Sequence, residues 1–267
     1  MKIIVCVKEI PDPEVASSIF QVDEEKKQVV LGPGLRLVIS PFDAQAIELA
    51  LRIRDAVGEV AVTLLSLGAE SARFIVKYGL SLGADEAFLL VDPVFDGGDS
   101  YTTARALAAA IEKIGGADLI LTGRQAADRD AGIVGPGIAE LLDLPVITLA
   151  MDIEVTDGML VVERSLSGGV EIVEARLPAV VTVSHEVGNV RHASLRETMK
   201  AARKPVTIWT ADDLGLQPDD AGALGSRVVV ERLYVPVNDV ECEYLDGDTA
   251  EELAAKLVDR LSAARLI

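Results

Sequence analysis

The chain is short of everything that marks a nucleic-acid binder, a disulfide scaffold or a membrane protein. It has only two cysteines, Cys6 and Cys242, far apart and with Cys6 inside an apolar run. That excludes a disulfide framework or a metal-ligand cluster and suits a reducing compartment. Five Phe, four Tyr and one Trp are too few to build stacking platforms along a single strand. Basic residues are outnumbered 25 to 43 by acidic ones, and a net charge of −18 opposes the phosphate neutralisation that nucleic-acid binding requires. No apolar run approaches the roughly 20 residues of a membrane span. The first residues read as a strand rather than a signal peptide, so the expectation is a cytoplasmic protein without membrane insertion.

What is present is enough apolar residue, half of 267, to bury a large core. Residues 2–7 form a continuous apolar run, the pattern of a strand buried on both faces and central in a parallel sheet. Residues 11–38 are polar, and two β-type stretches, Ile19 to Val22 and Gln28 to Leu31, flank a charged turn. They predict a hairpin insertion. From Pro41 onward helices near 43–57, 69–81, 99–114 and 133–142 alternate with strands at 59–66, 86–91, 118–122 and 146–150. This rhythm predicts right-handed βαβ units in a mostly parallel, doubly wound sheet. In the first helix, Ala46, Leu49, Ala50 and Ile53 share one face.

The rhythm breaks near 151. Ile153–Thr156, the turn Asp157-Gly158 and Met159–Arg164 predict an antiparallel hairpin. A further β-type stretch runs from Gly168-Gly169 to Ala175, and Ala179–Val183 predicts a return to the main sheet. After a helix near 194–202, residues 211–226 lack any period and read as a linker. The domain expectation is therefore 1–210, followed by a linker and C-terminal arm over 211–267. The arm holds a β-type run, Val228 to Val235, and a helix at 249–264 with Leu253, Leu257 and Leu261 on one side. That stripe docks either on the chain itself or on a partner subunit.

Catalytic constellations are missing. His185 and His192 have no Cys or Asp arranged around them for metal or nucleophile chemistry, and there is no phosphate-binding P-loop or dinucleotide Gly-x-Gly-x-x-Gly. The informative stretch runs from Leu119 through Gly123, Arg124, Gln125, Asp128, Asp130 and Gly132 to Gly137, between a buried strand and a helix. A loop there lies at the carboxyl end of the sheet, where the helix N-terminus holds a phosphate. Its glycines admit an anion closely, and Arg124 and Gln125 donate hydrogen bonds. Asp128 and Asp130 either accept from ribose hydroxyls or cap the helix. A second stretch, Asp96 to Ala104, carries Asp99 and Ser100 as candidate helix caps. A third, Ser40-Pro41-Phe42-Asp43, offers Phe42 as a hydrophobic staple or an aromatic wall.

Taken in order, these stretches resemble the electron-transfer flavoprotein β-subunit family. The resemblance runs through Ile3-Ile-Val-Cys-Val-Lys8, Ser40-Pro-Phe-Asp-Ala-Gln-Ala-Ile-Glu48, Ser66-Leu-Gly68, Gly83-Ala-Asp85 and Gly123-Arg-Gln-Ala-Ala-Asp-Arg-Asp130. It continues through Val162 to Glu171, Leu177 to Thr182 and Arg191 to Lys200. It implies an adenine-nucleotide α-hydrolase-like fold, pairing with a larger α subunit that supplies most contacts to FAD, and an electron carrier rather than an enzyme. It also implies a buried AMP held by Cys6, Ser40, Pro41, Phe42, Asp43, Leu64, Leu67, Gly123, Arg124, Gln125, Asp128, Asp130, Ala131, Gly132, Ile133 and Val134. Electron-bifurcating members hold a second FAD there, with a loop resembling Asp-Gly-Asp-Thr-Ala-Gln-Val-Gly-Pro. This chain departs from it at Arg129, Ala131, Gly132 and Ile133, which favours AMP. Another departure is Ser167, where the family commonly has an acidic residue. The resemblance further implies a recognition loop near 184–200 that docks dehydrogenases through Arg191, His192 and Leu195. Val190, His192 and Arg196 stand where the family often has Pro, Tyr and Pro. The alternatives of another class are a stand-alone nucleotide sensor of the universal-stress type and an AMP-forming enzyme, the latter disfavoured by the lack of Lys or His at the loop.

Overall fold

A computed structural model describes residues 1–16, 19–30, 32–236 and 242–267. The chain opens with β1 (Lys2–Val7), β2 (Glu9–Pro11), β3 (Gln21–Asp23), β4 (Gln28–Val30) and β5 (Leu37–Ile39). The alternating part follows as α1 (Pro41–Val57), β6 (Ala61–Leu67), α2 (Arg73–Leu82), β7 (Glu86–Leu90), α3 (Ser100–Ile114), β8 (Leu119–Gly123) and α4 (Val134–Leu141). Then come β9 (Val146–Thr156), β10 (Met159–Leu166), β11 (Gly169–Arg176), β12 (Ala179–Val183), α5 (Leu195–Arg203), β13 (Thr207–Trp209), α6 (Gly222–Gly225) and α7 (Ala250–Ala263).

Nine strands form one sheet in the order β11-β10-β9-β12-β8-β1-β6-β7-β13. Neighbours from β9 to β13 run parallel, and β10 and β11 extend one end as an antiparallel ribbon. The continuous apolar run of β1 has a simple cause. Ile3, Val5 and Val7 enter the core beneath α1, α2 and α5, while Ile4 and Cys6 enter the opposite core beneath α3 and α4. A strand covered on both faces has no polar side to show. The expected stripe of α1 is seated, with Ala46, Leu49, Ala50 and Ile53 all buried.

Four differences from the sequence expectation have physical reasons. The strand at 146–150 and the first hairpin strand are one element, β9. Its start pairs parallel with β12 and its remainder antiparallel with β10, and the break in pattern is a register irregularity near Leu149, whose φ is +64°. β13, too short for a visible period, pairs with β7 at the sheet edge. Residues 211–226, which read as a linker, are built in: Ala211, Leu216 and Ala221 are buried in the α3/α4 core. Two alanines and isolated leucines carry that packing and leave no periodic signature. The run Val228–Val235 forms no strand, since β-propensity expresses packing against a neighbouring strand and none pairs with it among the described residues.

The predicted N-terminal hairpin is β3 paired with β4; Leu31, which the expectation included, lies outside the described residues. Contacts divide the chain into two units, Met1–Gln21 with Val29–Glu231, and Val22–Gln28 with Arg232–Ile267. In the second unit α7 is capped by Thr249, whose side chain accepts from Glu252 N at 3.2 Å. None of its residues is buried, and Leu257 and Val258 are about half exposed. No helix is long and apolar enough to cross a membrane among the described residues.

Candidate functional site: a cleft at the strand carboxyl ends

After β1 the chain builds β6 and β7 to one side, then crosses to place β8 on the other. Between β1 and β8 the order reverses, and the two strands part at their carboxyl ends, their register closing at Val5 opposite Leu121. A switch point of this kind leaves a crevice, the usual binding place of open α/β sheets. Here it is a cavity of about 360 Å³ lined by the ends of β1, β6 and β8, the loop Asp96–Ser100 and the loop that leads into α4.

Asp43, in the first turn of α1, ties the parted strands together. Its carboxylate accepts from Lys8 N at 2.8 Å and from Gly123 N at 3.0 Å. Burial raises its pKa to about 7, against the lowering effect of those two N–H groups and of Lys8. Gly123 is required by this approach, because a Cβ there would overlap the Asp43 carboxylate and lie 2.7 Å from Phe42 Cβ. Cys6, beside them, is buried, and desolvation with the nearby Asp43 charge pushes its thiol far above the usual range. It is therefore no nucleophile.

Two helix N-termini face the cleft and differ. Asp99 caps α3, accepting from Thr102 N at 3.0 Å, while its other oxygen accepts from Arg227 N and Val228 N at 2.7 and 3.1 Å. Burial alone would raise the Asp99 carboxyl, but the backbone donors outweigh it and hold it low. At α4 the N-cap is Ile133, which offers no side-chain acceptor, and Val134 and Gly135 line the cavity. The first N–H groups of a helix have no partners within it, and an anion satisfies them together with the dipole. Gly135 lets α4 come close, since a Cβ there would meet Thr122 Oγ1 at 2.6 Å. Gly132, at φ +64°, makes the turn before it.

The structure brings together at the cavity Cys6, Asp43, Leu67, Gly123, Arg124, Gln125, Asp128, Ala131, Gly132, Ile133 and Val134. Asp128 does not cap α4; it pairs with Lys8 Nζ at 2.6 Å. Asp130 does not cap it either; it accepts from Gln125 Nε2 at 2.8 Å and so braces the loop from within. Phe42 is not part of the lining. It lies under the Arg124 guanidinium, 5.2 Å away, with its ring edge-on to His185. Ser40 and Pro41 start α1 outside the lining, and the buried Ser40 Oγ lacks a hydrogen-bond partner. Leu64 points to the other face, against Gly79 of α2. Alternation along β6 gives the cleft Leu67 instead.

Sequence reasoning missed Lys8, the Leu67–Ala69 wall as a unit, Asp92 and Phe95, and it put helix capping ahead of ligand contact for Asp96–Ser100. Lys8 had a signal, a cation directly following the buried run of β1. The others come from strand ends far apart in the chain. Among the described residues no group of three or more His, Cys, Asp or Glu is placed to hold a metal.

The segment expected to dock partners lies elsewhere in the same unit. Leu195 is 78 % exposed at the start of α5, so it does not pack its helix onto the sheet, and Met199 one turn on is 55 % exposed. Arg196, Lys200 and Arg203 surround them in a shallow depression. His192 is exposed, whereas the Arg191 guanidinium is taken up by Glu48 and Asp55 at 2.9 Å each.

Fold and cleft define the class: an open, doubly wound α/β protein with a crevice at the switch point. The family model described as the electron transfer flavoprotein domain matches residues 29–214. The chain is 36 % identical over its whole length, and that of the relative, to the caffeyl-CoA reductase-Etf complex subunit CarD of Acetobacterium woodii. Over the whole of both chains it is 37 % identical to the electron transfer flavoprotein subunit beta of Thermoanaerobacterium thermosaccharolyticum. It is 34 % identical to the protein FixA of Azorhizobium caulinodans, covering 97 % of this chain and 95 % of that one. The chain belongs to the electron transfer flavoprotein family and aligns end to end with its β subunits.

Proposed function

We propose that this chain is the smaller half of a heterodimer with a flavoprotein α subunit, that its switch-point cleft holds AMP, and that the dimer carries electrons from dehydrogenases, such as those acting on acyl-CoA, to a quinone-linked or other acceptor. The observation that carries the reading is the α4 N-terminus, uncapped and open to a cavity whose other walls mix glycine backbone and apolar side chains with charged ones, Lys8, Asp43, Asp99, Arg124 and Asp128 among them. The cavity lies near the lower end of the about 300–1,000 Å³ usual for small ligands, a size that suits a mononucleotide better than a second FAD. The residues fit a phosphate and ribose: α4 supplies N–H donors, and Asp128 with Lys8 stands at the cavity for hydroxyl and phosphate oxygens. FAD, supplied mainly by the α subunit's contacts, contributes the one- and two-electron chemistry. This chain contributes no catalytic residue and serves as scaffold and docking surface in the cytoplasm.

The unburied stripe of α7 supports an α partner, and the Leu195–Met199 face with its basic surround suits a dehydrogenase pocket with an acidic rim. The relative CarD bears in its name a complex with a reductase of a CoA thioester. The test is co-expression with the α subunit followed by nucleotide extraction. One FAD and one AMP per heterodimer are expected; two FAD without AMP establish the bifurcating arrangement, and no nucleotide beyond one FAD contradicts the cleft assignment. The Gly132→Val heterodimer should lose AMP, because a β-branched residue at φ +64° costs about 1–2 kcal/mol and moves the loop off the phosphate. The isolated chain should retain no stoichiometric FAD.

A further inference from the structure

The helix that presents Leu195 packs on α2 and buries one residue, Ala201, while its first turn, with Leu195, is exposed. The placing of that first turn falls to the segment before it. Ahead of it, segment 187–191 lies along a polar stripe of α1 formed by Gln45, Glu48, Arg52 and Asp55, whose spacing puts them on one helix face. Gln45 Nε2 donates to Gly188 O at 2.7 Å, and Arg52 donates to Val187 O at 2.9 Å and Asn189 O at 3.2 Å. Glu48 stands at the centre. It accepts from Arg52 Nε at 3.0 Å, from Arg191 Nε at 2.9 Å and from Arg191 backbone N at 3.0 Å, while Asp55 takes the far end of the same guanidinium. Only 5 % of Glu48 is exposed. Burial alone would raise its carboxyl, but the hydrogen bonds from Arg191 and Arg52 outweigh it and keep it ionised. At the other end Lys77 donates to Ala201 O and Ala202 O at 3.0 and 3.1 Å and also to Lys204 O, closing the last turn of α5 onto α2.

Connecting segments on a surface are usually the mobile part of a fold. This one is bonded at Val187, Gly188, Asn189 and Arg191, and the loss of the Glu48 carboxylate removes the shared acceptor of both arginines. We infer that Glu48 is a positioning residue for docking, which through Arg191 and Arg52 sets the place at which Leu195 is offered to the dehydrogenase. The inference rests on the docking role proposed for Leu195.

The experiment uses the FAD-loaded heterodimer as acceptor for a butyryl-CoA dehydrogenase reduced with butyryl-CoA, comparing wild type, Leu195→Ala, Glu48→Gln and the double variant. Leu195→Ala and Glu48→Gln should each raise the KM for the heterodimer severalfold with kcat, flavin content and AMP content little changed. The double variant should be no worse than Leu195→Ala alone, because a clamp whose only task is to place Leu195 has nothing left to place. Arg191→Gln, which leaves the Glu48–Arg52 pair in place, should give the same pattern if Glu48→Gln fails to fold. A Leu195→Ala effect with no KM change in either clamp variant, or with full additivity in the double variant, overturns the inference. A KM indifferent to Leu195→Ala overturns the docking reading itself, and the clamp with it.

Discussion

Helices α3 and α4, consecutive in the chain, both begin at the same cleft, yet their first turns are treated in opposite ways. Asp99 gives α3 a carboxylate that satisfies Thr102 N and, with its second oxygen, two further backbone donors from residues 227–228. Ile133 gives α4 nothing, and is itself 58 % exposed. The chain caps one helix at a wall of the cavity and leaves the other open, and the open turn is the one proposed to receive the phosphate. A phosphate bound at that turn would supply the acceptor it lacks, which would link occupancy and folding by mass action.

The comparison breaks most completely at Gly123, which brings β8 against Asp43 below the α4 turn. Gly123→Ala places a Cβ into Phe42 and the Asp43 carboxylate. Overpacking of this kind costs typically about 1–3 kcal/mol, and a collision with backbone and a buried carboxylate falls at or beyond the upper end. Thermal denaturation of the heterodimer should show a clearly lower Tm and lost AMP; an unchanged Tm would mean that the strands part without Asp43 holding them.

A smaller and pH-dependent effect is expected of Asp43→Asn, which keeps one acceptor for two N–H groups and leaves a buried donor unsatisfied, at about 1–3 kcal/mol. The wild-type carboxyl has a folded pKa of about 7, above its unfolded value. The folded state therefore holds the proton to higher pH than the unfolded one. Its contribution is fully present below about pH 4 and is lost as the pH rises through about 7. The stability margin of wild type over Asp43→Asn should shrink from the acid end towards pH 7 and then level. A margin that grows with pH would show that the Lys8 and Gly123 donors dominate over burial.

How much of this was legible in the sequence follows from how far each signal reaches along the chain. Elements with a sustained period, from α1 to β8 and from β10 to β12, were readable because burial on one or both faces imposes the pattern locally. The irregular stretch at Leu149, the short edge strand β13 and the packed segment 211–226 were not, since their order comes from partners distant in sequence. The same division runs through the site. The loop Gly123–Val134 declared itself through glycine and charge beside a strand end. Lys8, Phe95 and the Asp96–Ser100 wall join it only once β8, β1, β6 and β7 are laid in order in the sheet, and Leu64 was assigned to the wrong face of its strand. Exposure of Leu195 was foreseen, whereas the engagement of Arg191 by Glu48, over 140 residues earlier, was not.

The smallest stability change is the most telling, because its two consequences have opposite signs. Ile133→Asp puts a carboxylate at the positive end of α4, worth about 0.3–1 kcal/mol to the nucleotide-free protein through the helix dipole, although Pro136 lacks the N–H that Thr102 gives Asp99, and it puts a negative charge where a phosphate is proposed to sit. The direct measurement is the AMP affinity of the nucleotide-stripped heterodimer, by calorimetric titration, in wild type and Ile133→Asp, alongside the Tm of each without AMP. A variant that melts higher without nucleotide yet binds AMP much more weakly is the predicted result. AMP affinity unchanged by the new carboxylate would contradict the claim that the open turn of α4 is the phosphate site.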